Sequence, residues 1–487
     1  MNPALYEINT RAWLHSIGER LGRVATLDDV GDAELDQIAG WGFDWVWLLG
    51  VWATGPQSTE VARVHADLQA VYRDTLPDFR PEDVCGSCFA VAGYTVREDI
   101  GGAVGLARLR ERLRERGIRL MLDFVPNHMG LDHGWVWEQP DYFVNGTEED
   151  LAREPGNWTR MATRQGERTL AHGRDPYFSG WTDTLQLDYS NPELQQAMLA
   201  ELLTIAGQCD GVRCDMAMLL LPDVFERTWG RRTEPFWPGA IERVREAVPG
   251  FTFMAEVYWD LEWEMQQQGF DYAYDKRLYD RLREGNVHSV RTHLNAELDY
   301  QQGLARFIEN HDEPRAAATF EDGQHQAAAV ITYLAPGLRL FHQGQFEGRR
   351  IRLPVQLCRW PAEAVDHDLA AFYERLLAVL QRPGVRNGRW ERVDTIAAWE
   401  RNLSYDAFVS YMWTGDSGDR LLIAVNYAQH HSQCYLRLPI DLAGDRWRLS
   451  DLLGQDEYLR DGDDLATRGL YLDLGPWGYH AFDCTKA

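Results

Sequence analysis

Four short stretches of the sequence carry acidic side chains in settings where these could act together. The stretches are DFVPNH (123–128), GVRCD (211–215), FTFMAE (251–256) and ENHDEPR (309–315). Each contains or follows a short apolar run that is typical of a buried strand. Two carboxylic acids held close together can cleave a glycosidic bond, one as nucleophile and the other as proton donor. The four stretches can act in this way only if the fold brings them to one place.

Two of these stretches also suggest how the carboxylates would differ. Because alternate residues of a strand share a face, Arg213 and Asp215 point the same way. We expect Arg213 to hold Asp215 ionised, since a nearby cation favours the charged form. Glu256 instead ends an apolar strand, which would raise its pKa. An ionised nucleophile beside a protonated acid is what retaining glycoside cleavage needs.

A single Asp at a strand end is weak evidence, because it more often caps a helix or joins a structural ion pair. The four acidic stretches together favour a catalytic site. The strand-end argument alone does not choose between Asp312 and its neighbours Glu309 and Glu313.

The elements that must position these residues alternate along the first 385 or so residues. Amphipathic helical stretches separate most of eight candidate strands: LYEINT, FDWVWLL, RLMLDFV, GVRC, FTFMAE, FDYAYD, ARFIE and LRLFH. Strand–helix alternation indicates a parallel sheet, and eight such units predict an α/β fold with a closed (β/α)8 TIM barrel. Catalytic residues of such barrels lie at the C-terminal ends of the strands. The acidic stretches would therefore meet at one end of the barrel.

Two parts of the chain depart from this alternation. The segment after the third candidate strand is too long for an ordinary loop and lacks periodicity. After about residue 388, alternating apolar runs separated by turn residues indicate antiparallel strands. We predict a catalytic barrel over 1–128 and 179–387, an excursion domain over 129–178 and a C-terminal β-sandwich over 388–487.

The composition of the chain limits the kinds of molecule that it can bind. The formal net charge of −26 disfavours nucleic acid and anionic membranes and suits a neutral ligand such as a sugar. The sequence has no apolar run of 18 or more residues and no secretory pattern at its start, so we expect a cytoplasmic protein. Nothing in the sequence indicates the oligomeric state.

The cysteines and lysines limit other chemistry. Seven scattered cysteines fit reduced thiols. Cys85 and Cys88 form one CxxC pair, but the second ligand pair that a zinc site needs is missing from the sequence. A Schiff-base enzyme would have to use Lys276 or Lys486, the only two lysines.

In their order and spacing, the four acidic stretches resemble the characteristic motifs of the α-amylase family of glycoside hydrolases. Three further segments are similar to family motifs: GYTVRED (93–99), QLDYSNPE (186–193) and LFHQGQFEG (340–348). The resemblance covers roughly residues 5–350, and a C-terminal β domain also fits the family. It implies the barrel predicted above, with the excursion domain after the third strand.

The resemblance also implies roles for the carboxylates. Asp215 matches the catalytic nucleophile, Glu256 the general acid/base, and Asp312 the third essential carboxylate, which grips the sugar hydroxyls. It thereby selects Asp312 within ENHDEPR. A retaining mechanism requires the carboxyl groups of Asp215 and Glu256 to lie about 5–5.5 Å apart.

Five further residues are predicted to contact substrate. Arg213, His128 and His311 match residues that line the same sugar subsite, and Tyr94 matches the aromatic residue that stacks beneath the sugar. Trp259, which lies just after Glu256, is predicted as a sugar contact from its position alone.

No cofactor is expected to be required, and calcium is implied only in part. Asn127 and Asp188 match ligands of the family's structural calcium. Met218 and Leu219 stand where many members carry Lys-His, whose His backbone is a further ligand. The same change predicts a more apolar acceptor side. Met216 matches neither residue commonly found after the nucleophile, so the sequence leaves the linkage open.

The implied activity is hydrolysis of α-glucosidic bonds in oligosaccharides or α-glucans by double displacement. An α-glucanotransferase would use the same residues. A barrel lyase or aldolase would instead use Lys276, which follows the sixth candidate strand. A non-catalytic sugar-binding or scaffold protein is the remaining alternative, although all three carboxylates are present.

Overall fold

The structure, a computed structural model, describes residues 1–321 and 323–487. In chain order its strands are β1 (Ala4–Asn9), β2 (Trp45–Leu49), β3 (Trp52–Thr54), β4 (Val91–Val96), β5 (Arg119–Phe124), β6 (His128–Gly130), β7 (Trp158–Thr163), β8 (Gly166–Ala171), β9 (Thr184–Gln186), β10 (Gly211–Cys214), β11 (Thr252–Ala255), β12 (Tyr272–Tyr274), β13 (Leu304–Arg306), β14 (Leu338–His342), β15 (Arg389–Arg392), β16 (Asp394–Ala397), β17 (Phe408–Thr414), β18 (Arg420–Asn426), β19 (Ser432–Arg437), β20 (Arg446–Asp451), β21 (Glu457–Asp461), β22 (Leu470–Leu474) and β23 (Tyr479–Lys486).

The α-helices are α1 (Thr10–Leu21), α2 (Asp32–Gly40), α3 (Pro56–Val64), α4 (Ala66–Thr75), α5 (Gly102–Arg114), α6 (Gly134–Glu138), α7 (Glu148–Arg153), α8 (Pro192–Ala206), α9 (Pro222–Trp229), α10 (Trp237–Ala247), α11 (Glu262–Gln267), α12 (Lys276–Arg283), α13 (Val287–His293), α14 (Leu298–Gln302), α15 (Ala316–Thr319), α16 (Gln324–Tyr333), α17 (His367–Leu380), α18 (Pro383–Asn387) and α19 (Gly462–Arg468). Short 3-10 helices cover Leu27–Asp29, Pro81–Asp83, Glu98–Ile100, Pro140–Tyr142, Ala217–Leu220 and Ser404–Ala407. Among these helices, none combines the length and the apolar character that crossing a membrane requires.

Eight parallel strands close into a barrel in the order β1-β14-β13-β12-β11-β10-β5-β2, which confirms the predicted fold class. Strand β2 (WVWLL) is buried at every residue, since its two faces meet the barrel interior and the helical layer. Each of the eight candidate strands contributes to the barrel. The seventh is shorter than ARFIE suggested, because its ladder ends at Arg306.

Several helices around the barrel begin after a residue whose side chain accepts a hydrogen bond from the first turn. Helix α8 starts after Asn191, whose side chain accepts a hydrogen bond from the Glu193 N–H, and Pro192 occupies the first helical position. Helix α12 starts in the same way after Asp275, which accepts from the Leu278 N–H. These caps fix where the chain leaves the barrel mouth.

The segment between β5 and β10 forms small antiparallel sheets above the barrel. Strands β7 and β8 form a hairpin, and β6 pairs with β9 so that His128 lies opposite Gln186. The sequence had shown no periodicity here, because these strands are short and partly exposed. The β6–β9 pair lies partly outside 129–178, and the predicted domain limits themselves stay predictions.

The C-terminal part consists of two antiparallel sheets, one of six strands (β15-β17-β18-β23-β20-β21) and one of three (β16-β19-β22). Phe408 and Phe482 from the first sheet share a core with Leu436 from the second. Strand β17 contacts the barrel through Tyr411 and Trp413, whose side chains donate to backbone carbonyls of α16 and the residue after it. This part therefore packs against the barrel wall.

Candidate active site

The predicted carboxylates meet at the C-terminal ends of neighbouring barrel strands. Asp215 follows β10, and its N–H donates to the Phe124 carbonyl at the end of β5 (2.8 Å). Glu256 follows β11, and its N–H donates to the Cys214 carbonyl at the end of β10 (3.0 Å). The sheet's hydrogen bonding therefore continues one residue past the strands and fixes both backbones.

Arg213 lies at the centre of this cluster and is fully buried. Its Nη1 is 2.6 Å from Asp215 Oδ1, and its Nη2 is 2.8 Å from Glu256 Oε2. The same Nη2 is 4.0 Å from Asp312 Oδ2. One guanidinium thus contacts two carboxylates directly and approaches the third.

Glu256 receives two more hydrogen bonds, both from residues near it in space. The Met216 N–H donates to Oε2 (2.6 Å), and the Tyr258 hydroxyl donates to Oε1 (2.8 Å). Met216 adopts a left-handed backbone with φ of 42°, which aims its N–H at the carboxylate. Burial raises the pKa of Glu256 to about 7, although Arg213 opposes the rise. The expected upward shift is present.

Asp215 departs from the expectation that Arg213 would control its ionisation. Burial raises its pKa above the ordinary value, and the neighbouring Asp312 carboxylate adds to the rise. Arg213 lowers the pKa through its charge and its hydrogen bond, but this only limits the increase. Burial dominates the pKa of Asp215 because only 5% of the residue remains exposed.

Asp312 belongs to a chain of charged groups that reaches back to the first strand. His311 Nε2 is 2.9 Å from Asp312 Oδ2, and His311 Nδ1 hydrogen-bonds Glu7 Oε1. Burial disfavours the imidazolium, but the two carboxylates outweigh it and raise the pKa of His311 to about 10. Although desolvation opposes it, the His311 cation in turn lowers the pKa of Asp312 to about 2. Asp312 is therefore ionised, and its side chain is 39% exposed to the mouth.

His128 and Tyr94 are both buried, and both hydrogen-bond backbone groups. The His128 side chain hydrogen-bonds the Phe89 backbone, and burial lowers the pKa of His128 to about 3, so the ring is neutral. The Tyr94 hydroxyl donates to the Val125 carbonyl and accepts from the Val125 N–H, both at 2.9 Å. Its ring packs on Trp52 and is 4% exposed.

Phe89 is an aromatic residue that contacts His311 and Arg213 of the cluster. Its ring centroid lies 5.4 Å from that of His311, and the Arg213 guanidinium lies 5.0 Å from it. Phe89 is also partly exposed. Phe89 is therefore a second aromatic candidate beside the cluster, and the stacking role of Tyr94 stays a prediction.

The apolar acceptor side stays a prediction, and the residues after Asp215 and Glu256 lie in two different environments. Met218 and Leu219 are buried in the core. Trp259 has φ of 62° and packs edge-on against Tyr177, with ring centroids 5.0 Å apart. Trp259 is half-buried and Tyr177 exposed, so this pair presents aromatic surface near Glu256.

The residues that match calcium ligands are engaged by other protein groups. Asp188 Oδ2 forms an ion pair with Arg231, whose Nη2 also donates to the Asn145 carbonyl (2.9 Å). The Asn127 side-chain oxygen accepts from Gln186 Nε2 (2.9 Å). A guanidinium in contact with a would-be ligand does not fit a bound cation. This donor set therefore does not fit the family's calcium.

Lys276 does not match the requirements of a Schiff-base nucleophile. It starts α12, and its Nζ lies 2.5 Å from Asp280 Oδ1 and 3.3 Å from Glu313 Oε1. Its amine is thus held by two carboxylates, whereas a Schiff base needs an amine that is free to attack a carbonyl.

Sequence reasoning missed Glu7, Phe89 and Tyr258. Glu7 is a charged residue within an apolar strand, which is an available signal of a buried functional group. Tyr258 lies two residues after Glu256, at the spacing that places side chains on one face of an extended chain. Phe89 offers no such signal, because it lies in an irregular loop.

Comparison with known proteins shows which family model the sequence matches and which solved structures resemble the fold. The model of the alpha amylase catalytic domain matches residues 33–351. The chain is similar to alpha-amylase 3 of Dictyoglomus thermophilum, 21% identical over 397 residues that make up 77% of this chain and 69% of that protein. It is 23% identical to alpha-amylase MalA of Haloarcula japonica over 267 residues, 53% of this chain but only 36% of that protein. The crystal structure of a noncanonic maltogenic alpha-amylase AmyB from Thermotoga neapolitana superposes with a TM-score of 0.70 and 17% identity, covering 100% of this chain and 99% of that one.

Proposed function

Because the chain belongs to the α-amylase family of glycoside hydrolases, we propose that it hydrolyses α-glucosidic bonds of oligosaccharides or α-glucans with retention of configuration. The observation that supports this most is the Arg213 guanidinium, which contacts Asp215 and Glu256 together at 2.6 and 2.8 Å. Two carboxylates on one planar cation are held close to each other. That closeness is what a covalent glycosyl intermediate requires, and we expect about 5–5.5 Å between the carboxyl groups.

In the first step Glu256 donates its proton to the departing glycosidic oxygen while Asp215 attacks the anomeric carbon. The pKa of about 7 keeps Glu256 protonated in weakly acidic solution. The Asp215 charge adds to the rise in the pKa of Glu256, which favours one proton at Glu256 while Asp215 is ionised. We assign that proton to Glu256 and the negative charge to Asp215, whose Oδ1 accepts from the Arg213 cation at 2.6 Å.

In the second step Glu256, now ionised, takes a proton from water, which attacks the glycosyl ester on Asp215. The Met216 N–H and the Tyr258 hydroxyl both point at the Glu256 carboxylate and stabilise its ionised form. The ionised Asp312 and the neighbouring His311 cation lie at the open side of the cluster, where they can bind sugar hydroxyls. Phe89 supplies the apolar face beneath that sugar.

The anomeric configuration of the first product tests the mechanism. Maltooligosaccharides of increasing length are incubated with the protein, and the reducing end is followed by NMR before mutarotation. Initial release of the α-anomer is expected, and β-anomer would contradict retention. Asp215→Asn and Glu256→Gln should each lower kcat by several orders of magnitude, and unchanged kcat in Asp215→Asn would reject the nucleophile assignment.

Product length tests hydrolysis against transfer in the same reactions. Chromatography should show only products shorter than the substrate. Products longer than the substrate would show that a sugar hydroxyl replaces water as acceptor, and they would reassign the protein as a transglycosylase. Isomaltose, trehalose and sucrose belong in the same panel, because the linkage is set by residues around Met216.

A further inference from the structure

Two cysteines that lie far apart in the sequence meet beside the barrel mouth. Val84 pairs with Leu357 in an antiparallel bridge. The Cys85 N–H donates to the Gln356 carbonyl (2.8 Å), and the Cys358 N–H donates to the Asp83 carbonyl (3.0 Å). This pairing places Cys85 and Cys358 diagonally across the bridge, with both side chains on the same face. Diagonal neighbours lie about 7–8 Å apart, just beyond the usual span of a disulfide, so joining the two sulfurs requires a small shift of the backbone.

Arg11 makes these two thiols unequal. Its Nη1 donates to Cys85 Sγ (2.8 Å) and is fixed there by the carbonyls of Cys85 (3.1 Å) and Gly86 (2.7 Å). The hydrogen bond from Cys358 and the Arg11 charge outweigh desolvation and lower the pKa of Cys85 to about 6. A thiolate beside a neutral thiol is the arrangement of an attacking and a resolving cysteine.

Cys88, the other member of the CxxC pair, lies in a different environment. It is buried, and burial raises its pKa far above the ordinary value. Cys88 is thus protonated and shielded from solvent. The sequence motif suggested a Cys85–Cys88 pair, whereas the fold pairs Cys85 with Cys358.

Cys85 can be reached by small molecules. It is partly exposed and lines an open cavity of about 620 Å³ together with Thr54, Thr59, Arg63 and Arg97. A cavity of this size admits hydrogen peroxide easily. Two acidic residues, Glu98 and Asp99, line the cavity as well, so the cation that acts on the sulfur is Arg11.

We propose that Cys85 and Cys358 form a peroxide-sensitive thiol pair that oxidises reversibly to a disulfide. The Cys85 thiolate attacks hydrogen peroxide, which breaks the O–O bond and leaves a sulfenic acid on Cys85 and hydroxide in solution. The Cys358 thiol then attacks the Cys85 sulfur, forming the S–S bond and releasing water. The two sulfurs together lose two electrons, and the peroxide gains them.

The disulfide would join two segments that border the candidate active site. One leads from Cys85 to Phe89, whose ring contacts His311. The other carries Arg352, which donates to the Asp312 carbonyl, six residues before Cys358. The proposal is independent of the glycosidase assignment, because its readout is a covalent bond.

Peptide mapping of the full-length protein tests the proposal. The reduced protein is treated with hydrogen peroxide, free thiols are blocked with iodoacetamide, and non-reduced peptides are analysed by mass spectrometry. We expect a Cys85–Cys358 peptide as the dominant cross-link, lighter than its parts by two hydrogens and lost after dithiothreitol. No such peptide, or a dominant Cys85–Cys88 cross-link, overturns the proposal.

Two variants separate the roles of the cysteines. Cys358→Ser should abolish the cross-link and leave Cys85 as a sulfenic acid that dimedone traps. Cys88→Ser is the matched control and should give the wild-type cross-link. In the native wild-type protein near neutral pH, iodoacetamide should alkylate Cys85 at least about tenfold faster than the buried Cys209. Equal rates would also overturn the proposal, whether or not the variants fold.

Discussion

Replacing Tyr258 by Phe should move the alkaline limb of the activity profile to higher pH. The Tyr258 hydroxyl donates to Glu256 Oε1 at 2.8 Å, and it stabilises the ionised carboxylate more than the protonated one. Removing this donor raises the pKa of Glu256. Because Glu256 must be protonated to act as the acid, activity should then persist to higher pH.

The size of the shift follows from one hydrogen bond. A hydrogen bond to a charged group contributes about 1.5–3 kcal/mol, against about 0.5–1.5 kcal/mol for a neutral pair. The difference of about 1.4 kcal/mol corresponds to about one pKa unit. The limb controlled by Glu256, whose pKa is about 7, should therefore move up by about one unit.

The assay is kcat/KM against pH, because this ratio reports ionisation of the free enzyme. Tyr94→Phe is the matched control, since the Tyr94 hydroxyl bonds the Val125 backbone and no carboxylate. Its limb should coincide with that of the wild type. A limb that stays in place or moves to lower pH in Tyr258→Phe would refute the assignment of Glu256 as the acid or of Tyr258 as its donor.

Three further changes give separate outcomes. Glu7→Gln replaces the charged partner of His311 by a neutral one, so the pKa of His311 should fall from about 10 by about one to two units. NMR titration of the imidazole measures this pKa. An unchanged pKa would contradict the contact between Glu7 and His311. Arg231→Met should lower the free energy of unfolding, measured in urea, by about 2 kcal/mol, because the buried Asp188 carboxylate loses its cation. A calcium chelator should leave the Tm of the parent protein unchanged. A drop in Tm with the chelator would instead indicate a calcium site. Trp259→Ala should weaken binding of long maltooligosaccharides about fivefold with kcat on a short aryl glucoside retained, and equal affinity would remove Trp259 from the substrate contacts.

The sequence predicts the barrel because the signals for barrel strands are local. Apolar runs such as WVWLL and RLML appear as strands whatever the distant partner is, and Asp215 and Glu256 follow directly from where such runs end. The C-terminal strands β21 and β23, by contrast, carry only weak local signals. Their sequences, EYLRD and YHAFDCTK, mix polar and apolar residues without a clean alternation.

The parts of the site that sequence reasoning missed depend on contacts between distant residues. Glu7 and His311 are 304 residues apart, and only closure of the barrel brings them together. The Tyr94 motif likewise gives no sign that the Tyr94 hydroxyl bonds the Val125 backbone, 31 residues away. Burial of Asp215 likewise depends on every element around the mouth, so the direction of its pKa shift could not be derived from Arg213 alone.

Met216 interacts with the Glu256 carboxylate through its backbone N–H. The hydrogen bond to the Glu256 carboxylate therefore does not depend on the side chain at this position, provided that the residue tolerates a positive φ. Substitution at Met216 can then change the side chain beside the nucleophile while it leaves the hydrogen bond to Glu256 in place. A library at Met216 should yield altered linkage preference with the acid's ionisation conserved, except for β-branched residues, which disfavour this backbone.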